Sequence, residues 1–357
     1  MTHSSSSLEK INKIAVSKYT SAGLLALLLS ACGESHTHSH AINDHAVDLK
    51  DAILQNRSAD CADYANEYGS SVKDIRKNEH FIAQVSIEVQ DRYCTLTSNN
   101  IPNHDFNDRN ARFATNAKEV SQSFNIKRAP QLSYRVTPLE QSTYNGIMIN
   151  GVPIDILSAA CYSPNARRAD RQGNIPIGCR SDAKWLVDPL GPNANMGADA
   201  HNAHTQPDGS YHYHGNPNAL FDEKPGNNGS PTIGFAADGF PIYGSYFYDE
   251  TRKQVRKAKS GYRLKSGTRP TRSSTSPGGN YDGTYIQDWE FANTGDLDQC
   301  NGMTVNGQYG YYVTDTYPWI VNCFSGTPDP SFRKRMGKNK QPNHKNTQHR
   351  FPPKPAY

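Results

Sequence analysis

The sequence has few apolar residues and few long helical patterns. Hydrophobic residues make up 35% of the 357 residues, which is low for a globular chain. By contrast, the chain contains 20 Tyr, 27 Gly and 22 Pro. This composition argues against a helix bundle and predicts a mainly β fold with antiparallel sheets, many turns and long ordered loops.

The chain also lacks the motifs of common hydrolases and nucleotide-binding proteins. It contains no His-Glu-x-x-His, no Gly-x-Ser-x-Gly and no phosphate-binding loop. Cysteine is scarce, with seven residues, and the assignments below leave none of them free to act as a nucleophile. No reaction class therefore follows from the motifs.

The first 31 residues have the features of a targeting segment. Lys10, Lys13 and Lys18 precede the apolar run Ala22 to Leu29, which is too short to span a bilayer. The run ends in Leu-Ser-Ala-Cys-Gly, which resembles the lipobox of bacterial lipoproteins. That resemblance implies a signal peptide over 1–31 and lipidation of Cys32, with palmitate among its acyl chains. The alternative is an ordinary secretory signal that is cleaved nearby.

Either alternative predicts an exported chain. Lipidation would hold it to a membrane. Gly33, not Asp, follows Cys32, so nothing marks retention in the inner membrane. We therefore expect an outer-membrane or cell-surface protein.

Six cysteines remain after Cys32, and an even number in an exported chain predicts disulfides. Six cysteines allow fifteen pairings. We favour pairs of sequence neighbours, which gives Cys61–Cys94, Cys161–Cys179 and Cys300–Cys323.

Two segments precede the predicted β domain. Residues 32–46 hold His36, His38, His40 and His45 without an apolar pattern, and we interpret them as a tether that could hold metal loosely. Residues 47–80 are predicted to form a small helical segment, because apolar residues between Asp48 and Arg76 recur near helical spacing.

Charge is unevenly distributed along the chain. Arg333 to Tyr357 carry eight Lys or Arg and no acid, and Met1 to Ala31 carry a net +2. Because the whole chain is +4, Cys32 to Phe332 carry −6. We expect residues 327–357 to be a disordered basic tail that contacts anionic lipid or polysaccharide, and we expect no nucleic-acid partner.

The central part of the chain predicts strands and hairpins. Residues 82–89 alternate apolar and polar side chains, which indicates a half-buried strand, and residues 92–96 are its predicted partner. Asn150-Gly151 and Asp238-Gly239 each lie between apolar runs and predict hairpin turns.

The stretch Tyr211-His212-Tyr213-His214 lies between Gly209 and Gly215. On a strand, residues i and i+2 share a face, so His212 and His214 would point to one side and the tyrosines to the other. Two imidazoles about 6.6 Å apart at their Cα atoms can converge on one ion. The alternative is a half-buried strand that carries histidines without a ligand.

A three-histidine site needs one further imidazole and supporting carboxylates. The third ligand could be His204, His201 or His104. Asp199 or Asp208 could orient a ring N–H or bind directly, and Glu223 or Asp238 could act as a general base. Copper and zinc are the expected metals, because neutral imidazole suits both.

Five motifs, in order, resemble the YHYH-domain family. Besides Tyr211–His214 they are Ser98 to His104, Asn150 to Asp155, Gly234 to Gly244 and Tyr311 to Cys323. The resemblance covers 81–326, which we take as the YHYH domain. It implies identity and compartment more than a reaction. Gly310 departs from it, since a histidine is expected there.

Three classes of function are consistent with these residues. The first is a metal-binding surface lipoprotein for capture, delivery or tolerance. The second is a metal-dependent hydrolase of an envelope or extracellular substrate, which needs an open coordination position and a placed carboxylate. The third is a glycan-binding or structural module without metal.

Lipidation of Cys32 can be tested by mass spectrometry. The wild-type chain should begin at an acylated Cys32, and Cys32→Ser should accumulate as an unprocessed precursor or a released form. A wild-type chain without acyl groups would contradict the lipobox assignment.

Overall fold

Strands make up most of the regular structure in residues 45–334, the part of the chain that this computed structural model describes. The mainly β class is therefore confirmed. The predicted signal peptide, Cys32, most of the tether and the end of the tail lie outside the described residues. Within them, no helix is long and apolar enough to cross a bilayer.

The N-terminal sheet has five strands in sequence order. The first two are parallel and the others form an antiparallel meander. The predicted strand at residues 82–89 and its predicted partner at 92–96 are both present as the third and fourth strands. The strands are β1 Val47–Asp48, β2 Asn66–Asp74, β3 Glu79–Val89, β4 Tyr93–Ser98 and β5 Gln122–Lys127.

The remaining strands are short, and eight of them form a second sheet. In chain order they are β6 Thr137–Pro138, β7 Gly146–Met148, β8 Pro153–Ile154, β9 Cys161–Tyr162, β10 Asn174–Ile175, β11 Ala203–Thr205, β12 Tyr211–Tyr213, β13 Thr232–Ala236, β14 Pro241–Tyr243, β15 Tyr246–Asp249, β16 Gln254–Lys257, β17 Tyr262–Leu264, β18 Trp289–Phe291, β19 Gly302–Val305, β20 Gln308–Tyr312 and β21 Cys323–Phe324.

The second sheet is mixed, with the order β11-β12-β8-β7-β13-β14-β20-β19. The β12–β8 and β14–β20 pairs are parallel, and the others are antiparallel. The described residues also form four two-stranded sheets, β9–β10, β15–β16, β17–β18 and β6–β21. One hydrophobic core contains residues from both large sheets, among them Leu96 and Ile147.

Both predicted hairpin turns are present. β7 and β8 pair antiparallel around Asn150-Gly151, and β13 and β14 pair around Asp238-Gly239. Gly239 has a φ of 95°, a conformation that glycine adopts without steric cost. The turn residues therefore fix the pairing here, as the sequence predicted.

The three disulfides are those predicted from sequence neighbours. Cys61–Cys94 joins a short 3-10 helix to β4, and Cys161–Cys179 joins β9 to the segment after β10. Cys300–Cys323 joins the segment just before β19 to β21. All six cysteines other than Cys32 are thus paired.

The helical prediction for residues 47–80 is wrong. This segment contains β1, β2 and the start of β3, and its one helical element is the 3-10 helix Cys61–Tyr64. Every residue of β2 is paired with a residue of β3. Strand pairing therefore outweighs a weak local helical pattern. Because β3 starts at Glu79, the predicted boundary between 80 and 81 falls inside a strand.

The predicted disordered tail begins too early. Residues up to 334 belong to the fold, with a 3-10 helix at Pro330–Phe332 and another at Ile286–Asp288. Phe332 is fully buried and packs against Phe124, with ring centroids 4.9 Å apart. The Phe332 ring and the backbone hydrogen bonds of Phe332 and Lys334 to Tyr144 and Ser142 anchor this end, and the composition of the tail did not reveal them.

Phe332→Ala should therefore destabilise the folded domain. Loss of a fully buried ring costs about 3–5 kcal/mol of unfolding free energy, which denaturant titration would measure. Tyr134→Ala is the control, because Tyr134 is 99% exposed. Equal stabilities of the two variants would contradict the anchoring role.

Candidate metal centre

Strands β11 and β12 bring three histidines onto one face of the second sheet. The strands are antiparallel, and His204 lies directly opposite His212. His214 follows β12 on the same side as His212, and its backbone N–H donates to the carbonyl of Asn202 at 2.8 Å. The connection turns at Asp208, whose side chain accepts hydrogen bonds from the backbone and hydroxyl of Ser210 at 3.0 and 2.7 Å.

The Nε2 atoms of the three rings converge. His214 Nε2 lies 3.1 Å from that of His212 and 3.0 Å from that of His204. The rings are tilted by 59 to 77° to one another, so they meet at their tips instead of stacking. Tetrahedral Zn–N bonds of about 2.0–2.1 Å place ligand nitrogens about 3.3 Å apart. The cluster is therefore close to the size of a coordination shell.

One tautomer in the cluster is set by its neighbour. His204 Nδ1 lies 2.6 Å from the carbonyl oxygen of Met196, so Nδ1 donates and Nε2 carries the lone pair. A proton on His214 Nε2 can be shared with His204 or His212, but it satisfies only one of them well. A cation would accept all three lone pairs at once, so the donor set fits a metal ion.

Burial keeps the cluster uncharged. His212 and His214 are each 2% exposed, and desolvation lowers the pKa of both rings well below the usual range, as it lowers that of His204. Neutral imidazole is the form that binds metal. His212 Nδ1 and His214 Nδ1 are buried without a hydrogen bond of good geometry among the described residues, although backbone groups of Ser210 and Ile156 act on the two pKa values.

Asp155 and Lys334 lie beside the cluster, and sequence reasoning did not identify either as a site residue. Asp155 is 3% exposed. Its Oδ2 accepts a hydrogen bond from Gln206 at 2.7 Å and forms an ion pair with Lys334. Charge at Asp155 raises the pKa of His204, and charge at Lys334 lowers the pKa of His212 and His214, in each case less than burial lowers it.

Gly215 lets a neighbouring loop approach the end of the histidine strand. A Cβ at this position would lie 2.3 Å from Leu190 Cδ1 and 3.5 Å from Trp319 Cβ. A glycine on a strand allows such a close approach. Any larger residue would force the Leu190 side chain to move.

The tyrosines of β12 form a separate, fully bonded network on the other face. Tyr213 Oη lies 2.8 Å from His104 Nε2 and accepts from Asn150 Nδ2 at 2.9 Å. Tyr211 donates its hydroxyl proton to Asp199 at 2.8 Å. These contacts join three of the sequence motifs and hold the strand in position.

His104 and His201 belong to this network and not to the cluster of three histidines. His104 Nδ1 lies 2.9 Å from the carbonyl of Asp105, so it donates there and accepts from Tyr213 at Nε2. The ring of His201 stacks on that of His104 with centroids 3.5 Å apart. Of the three histidines considered as third ligand, only His204 lies with His212 and His214.

The four candidate carboxylates all bond elsewhere. Asp199 accepts from Tyr211 and from two backbone N–H groups, and Asp208 caps its own turn. Exposed Glu223 pairs with Tyr246 and with Lys257. Asp238 accepts from Tyr311 at 2.6 Å and from the backbone of Gly326 at 2.9 Å, and burial raises its pKa.

Position 310 has no room for the histidine that the family resemblance suggested. A Cβ on Gly310 would lie 2.5 Å from Tyr243 Cε2 and 3.0 Å from the carbonyl oxygen of Pro241. A side chain here would have to displace β14. The glycine is thus required by the packing of β20 against β14.

The fold and site define a mainly β protein whose largest sheet carries a buried histidine cluster. The sequence model of the YHYH protein family matches residues 123–326. This is more than half of the chain, so the chain belongs to the YHYH family. The match begins in β5, and the Ser98 to His104 motif lies before it. No curated protein and no solved structure matches the chain.

His104 should make stability depend on pH. Burial lowers its pKa to about 3, below the unfolded value of about 6.5, so the unfolded state binds the extra proton between these values. The neutral His104 ring therefore makes its full contribution to the free energy of unfolding above pH 6.5, and this contribution decreases as pH falls towards 3. The slope is at most about 1.4 kcal/mol per pH unit.

Denaturant unfolding between pH 6 and 4 would measure this effect. His104→Gln removes the titrating group and keeps an acceptor for Tyr213, so its free energy of unfolding should fall less steeply than that of the wild type. His80→Gln, at an exposed position, should follow the wild type. If the free energy of unfolding of His104→Gln and of the wild type fell equally steeply with pH, the lowered pKa of His104 would be contradicted.

Proposed function

We propose that this YHYH protein is an exported lipoprotein whose domain binds one divalent transition metal, copper or zinc, through His204, His212 and His214. The observation that carries the proposal is the convergence of three Nε2 atoms, from two buried rings and half-buried His204, with two separations of 3.0 and 3.1 Å. They form one of the groups in the described residues whose ligand atoms all lie within 4.8 Å of one another.

The chemistry of the ligands supports copper or zinc. Neutral imidazole binds both metals, whereas Mg²⁺ and Ca²⁺ prefer oxygen. His212 and His214 are held by β12, and His204 is oriented by the Met196 carbonyl. The protein thus presents ligands that need little rearrangement, which favours tight binding. Bound metal would supply Lewis acidity, but the chain signals no reaction.

Capture or delivery is favoured over hydrolysis. A hydrolase needs a carboxylate positioned to activate water, and the two candidate bases are engaged elsewhere. Glu223 pairs with Lys257 at 3.1 Å, and Asp238 is fixed in its hairpin by Tyr311. A histidine-rich tether next to the membrane would also suit metal collection.

Membrane attachment through Cys32 completes this proposal. It would place the domain at the outer membrane or cell surface, where exchangeable metal is met first. The basic end of the chain would add contacts with anionic lipid or polysaccharide. The disulfides are consistent with an oxidising compartment.

A second candidate function is glycan binding. A cavity of about 590 Å³ is lined by Arg57, Tyr243, Tyr248, Asn306 and Tyr312, among others. Tyrosine and amide side chains suit the stacking and hydrogen bonding of sugars. This cavity could function without metal, so analysis of bound metal separates the two candidates.

Removing the imidazoles should abolish tight metal binding. The test protein has His36, His38, His40 and His45 replaced by Ser, so that the tether cannot bind. Titration with Zn²⁺ and Cu²⁺, together with elemental analysis, should give one ion per chain. His212→Ala with His214→Ala, and separately His204→Gln, should weaken binding by at least about 100-fold, since even indirect partners of a ligand cost 10–100-fold.

His201→Gln is the matched control, because His201 stacks on His104 away from the cluster. It should bind as the parent does. Thermal unfolding would establish that each variant is folded, and half-buried His204 makes its variant the least disruptive. A parent without metal would refute metal binding and leave the glycan candidate. A His204→Gln variant with unchanged affinity would refute the assignment of His204 as a ligand.

A further inference from the structure

We propose that Asp155 is the anionic fourth ligand of this metal, and that the Lys334 ammonium is the counter-cation that neutralises Asp155 until the metal binds. This inference rests on the proposed function and concerns how the buried site balances its charge. Its exchange step breaks the Lys334–Asp155 ion pair and forms a bond from the carboxylate to the metal.

Strand register places Asp155 on the histidine face. β8 and β12 are parallel, with Ile154 paired to Tyr213, and the N–H of Asp155 donates to the Tyr213 carbonyl at 2.9 Å. Paired residues of neighbouring strands share a face. Ile154 therefore lies on the tyrosine side, and Asp155 lies beside His214 on the histidine side.

A hydrogen bond that spans three strands supports this placement. Gln206 follows β11 two residues after His204 and so shares its face. Its Nε2 donates to Asp155 Oδ2 at 2.7 Å. Because β12 lies between β11 and β8, this bond passes over the strand that carries His212. The carboxylate thus lies across the same face as the three imidazoles.

The carboxylate has unused capacity to bind. Gln206 and Lys334 both bind Oδ2, while Oδ1 is buried with no hydrogen-bond partner among the described residues. An unsatisfied buried carboxylate oxygen is costly. Metal coordination through Oδ1 would satisfy it once the carboxylate moves towards the ion, because neither Asp155 oxygen lies within 4.8 Å of all three ring nitrogens.

Charge balance explains the presence of Lys334. Three neutral imidazoles, one carboxylate and one ammonium sum to zero, which is the least costly state for a buried group. If Lys334 stayed, a bound divalent ion would give the site a net charge of +2. The ion would also repel the Lys334 ammonium at short range. If the Lys334 ammonium leaves, the net charge of the site falls to +1, so its departure favours binding of the metal ion.

Lys334 can leave without unfolding the end of the domain. Its backbone N–H is fixed by a 2.8 Å hydrogen bond to the Ser142 carbonyl, and Arg333 bridges to Thr143. Its side chain is 20% exposed, compared with 5% for Asp155. Rotation of the side chain towards solvent is therefore sufficient.

Co²⁺ titration of the full chain with the four tether histidines replaced by Ser would test this inference. Tetrahedral Co²⁺ absorbs visible light according to its ligands. Asp155→Asn should bind at least 10-fold more weakly, with a changed visible spectrum. Lys334→Met should bind about 10-fold more tightly with the parental spectrum, because no ion pair has to break.

Controls and a double variant separate charge from folding. Asp91→Asn in the β3–β4 turn and Lys77→Met in the β2–β3 turn alter exposed residues outside the β11–β12 hairpin and should leave affinity and spectrum unchanged. Asp155→Asn with Lys334→Met leaves no lone buried charge, so it should remain folded. It should show the changed spectrum of Asp155→Asn.

The outcomes distinguish the two proposals. If the parent binds no Co²⁺, Zn²⁺ or Cu²⁺, both the proposed function and the role of Asp155 and Lys334 are refuted. If the parent binds through its histidines and Asp155→Asn keeps the parental affinity and spectrum, only the role of Asp155 is refuted. If Lys334→Met binds no more tightly than the parent, Lys334 is not the displaced cation.

Discussion

The alternation of side chains along β12 is the constraint on which the site depends. Both faces of this strand are buried, so every polar atom on it needs a partner inside the protein. The tyrosine face meets this need through Asp199, His104 and Asn150. On the histidine face, the ring nitrogens contact mainly one another. These contacts contain more nitrogen lone pairs than N–H protons to share among them.

In the mixed second sheet, β12 has one antiparallel and one parallel neighbour, β11 and β8, and each supplies a side chain to the histidine face. An antiparallel neighbour is close in sequence, so β11 supplies His204 through a short turn. A parallel neighbour is distant in sequence, and β8 supplies Asp155. Strand β12 therefore lies between a neighbour close in sequence that supplies an imidazole and a distant neighbour that supplies a carboxylate.

Much of this could be predicted from local sequence signals. The turns at Asn150-Gly151 and Asp238-Gly239, the disulfides between neighbouring cysteines and the strand at residues 82–89 all depend on local geometry. The shared face of His212 and His214 follows from the strand period alone. The helical prediction for 47–80 was wrong because β2 is stabilised by its pairing with β3. The local residues of β2 carry no signal for this pairing.

Choosing among His204, His201 and His104 needed information that lies in the pairing. His201 and His204 are three residues apart, yet only His204 lies in β11 opposite His212. His201 instead stacks on His104, which is bonded to Tyr213 on the tyrosine face of β12. Asp155 was missed because parallel pairing leaves no local signal in the sequence. Lys334 was missed because the buried ring of Phe332 was read as part of a tail.

The residues of the site become available at different times as the chain is made. The three imidazoles lie within one short hairpin, whereas Asp155 and Lys334 are 179 positions apart in sequence. Short loops close with little entropy loss, and long ones close late. A chain still being completed would therefore bring its three imidazoles together before Lys334 reaches Asp155, so the Asp155 carboxylate would lack its ammonium partner until residue 334 has been added.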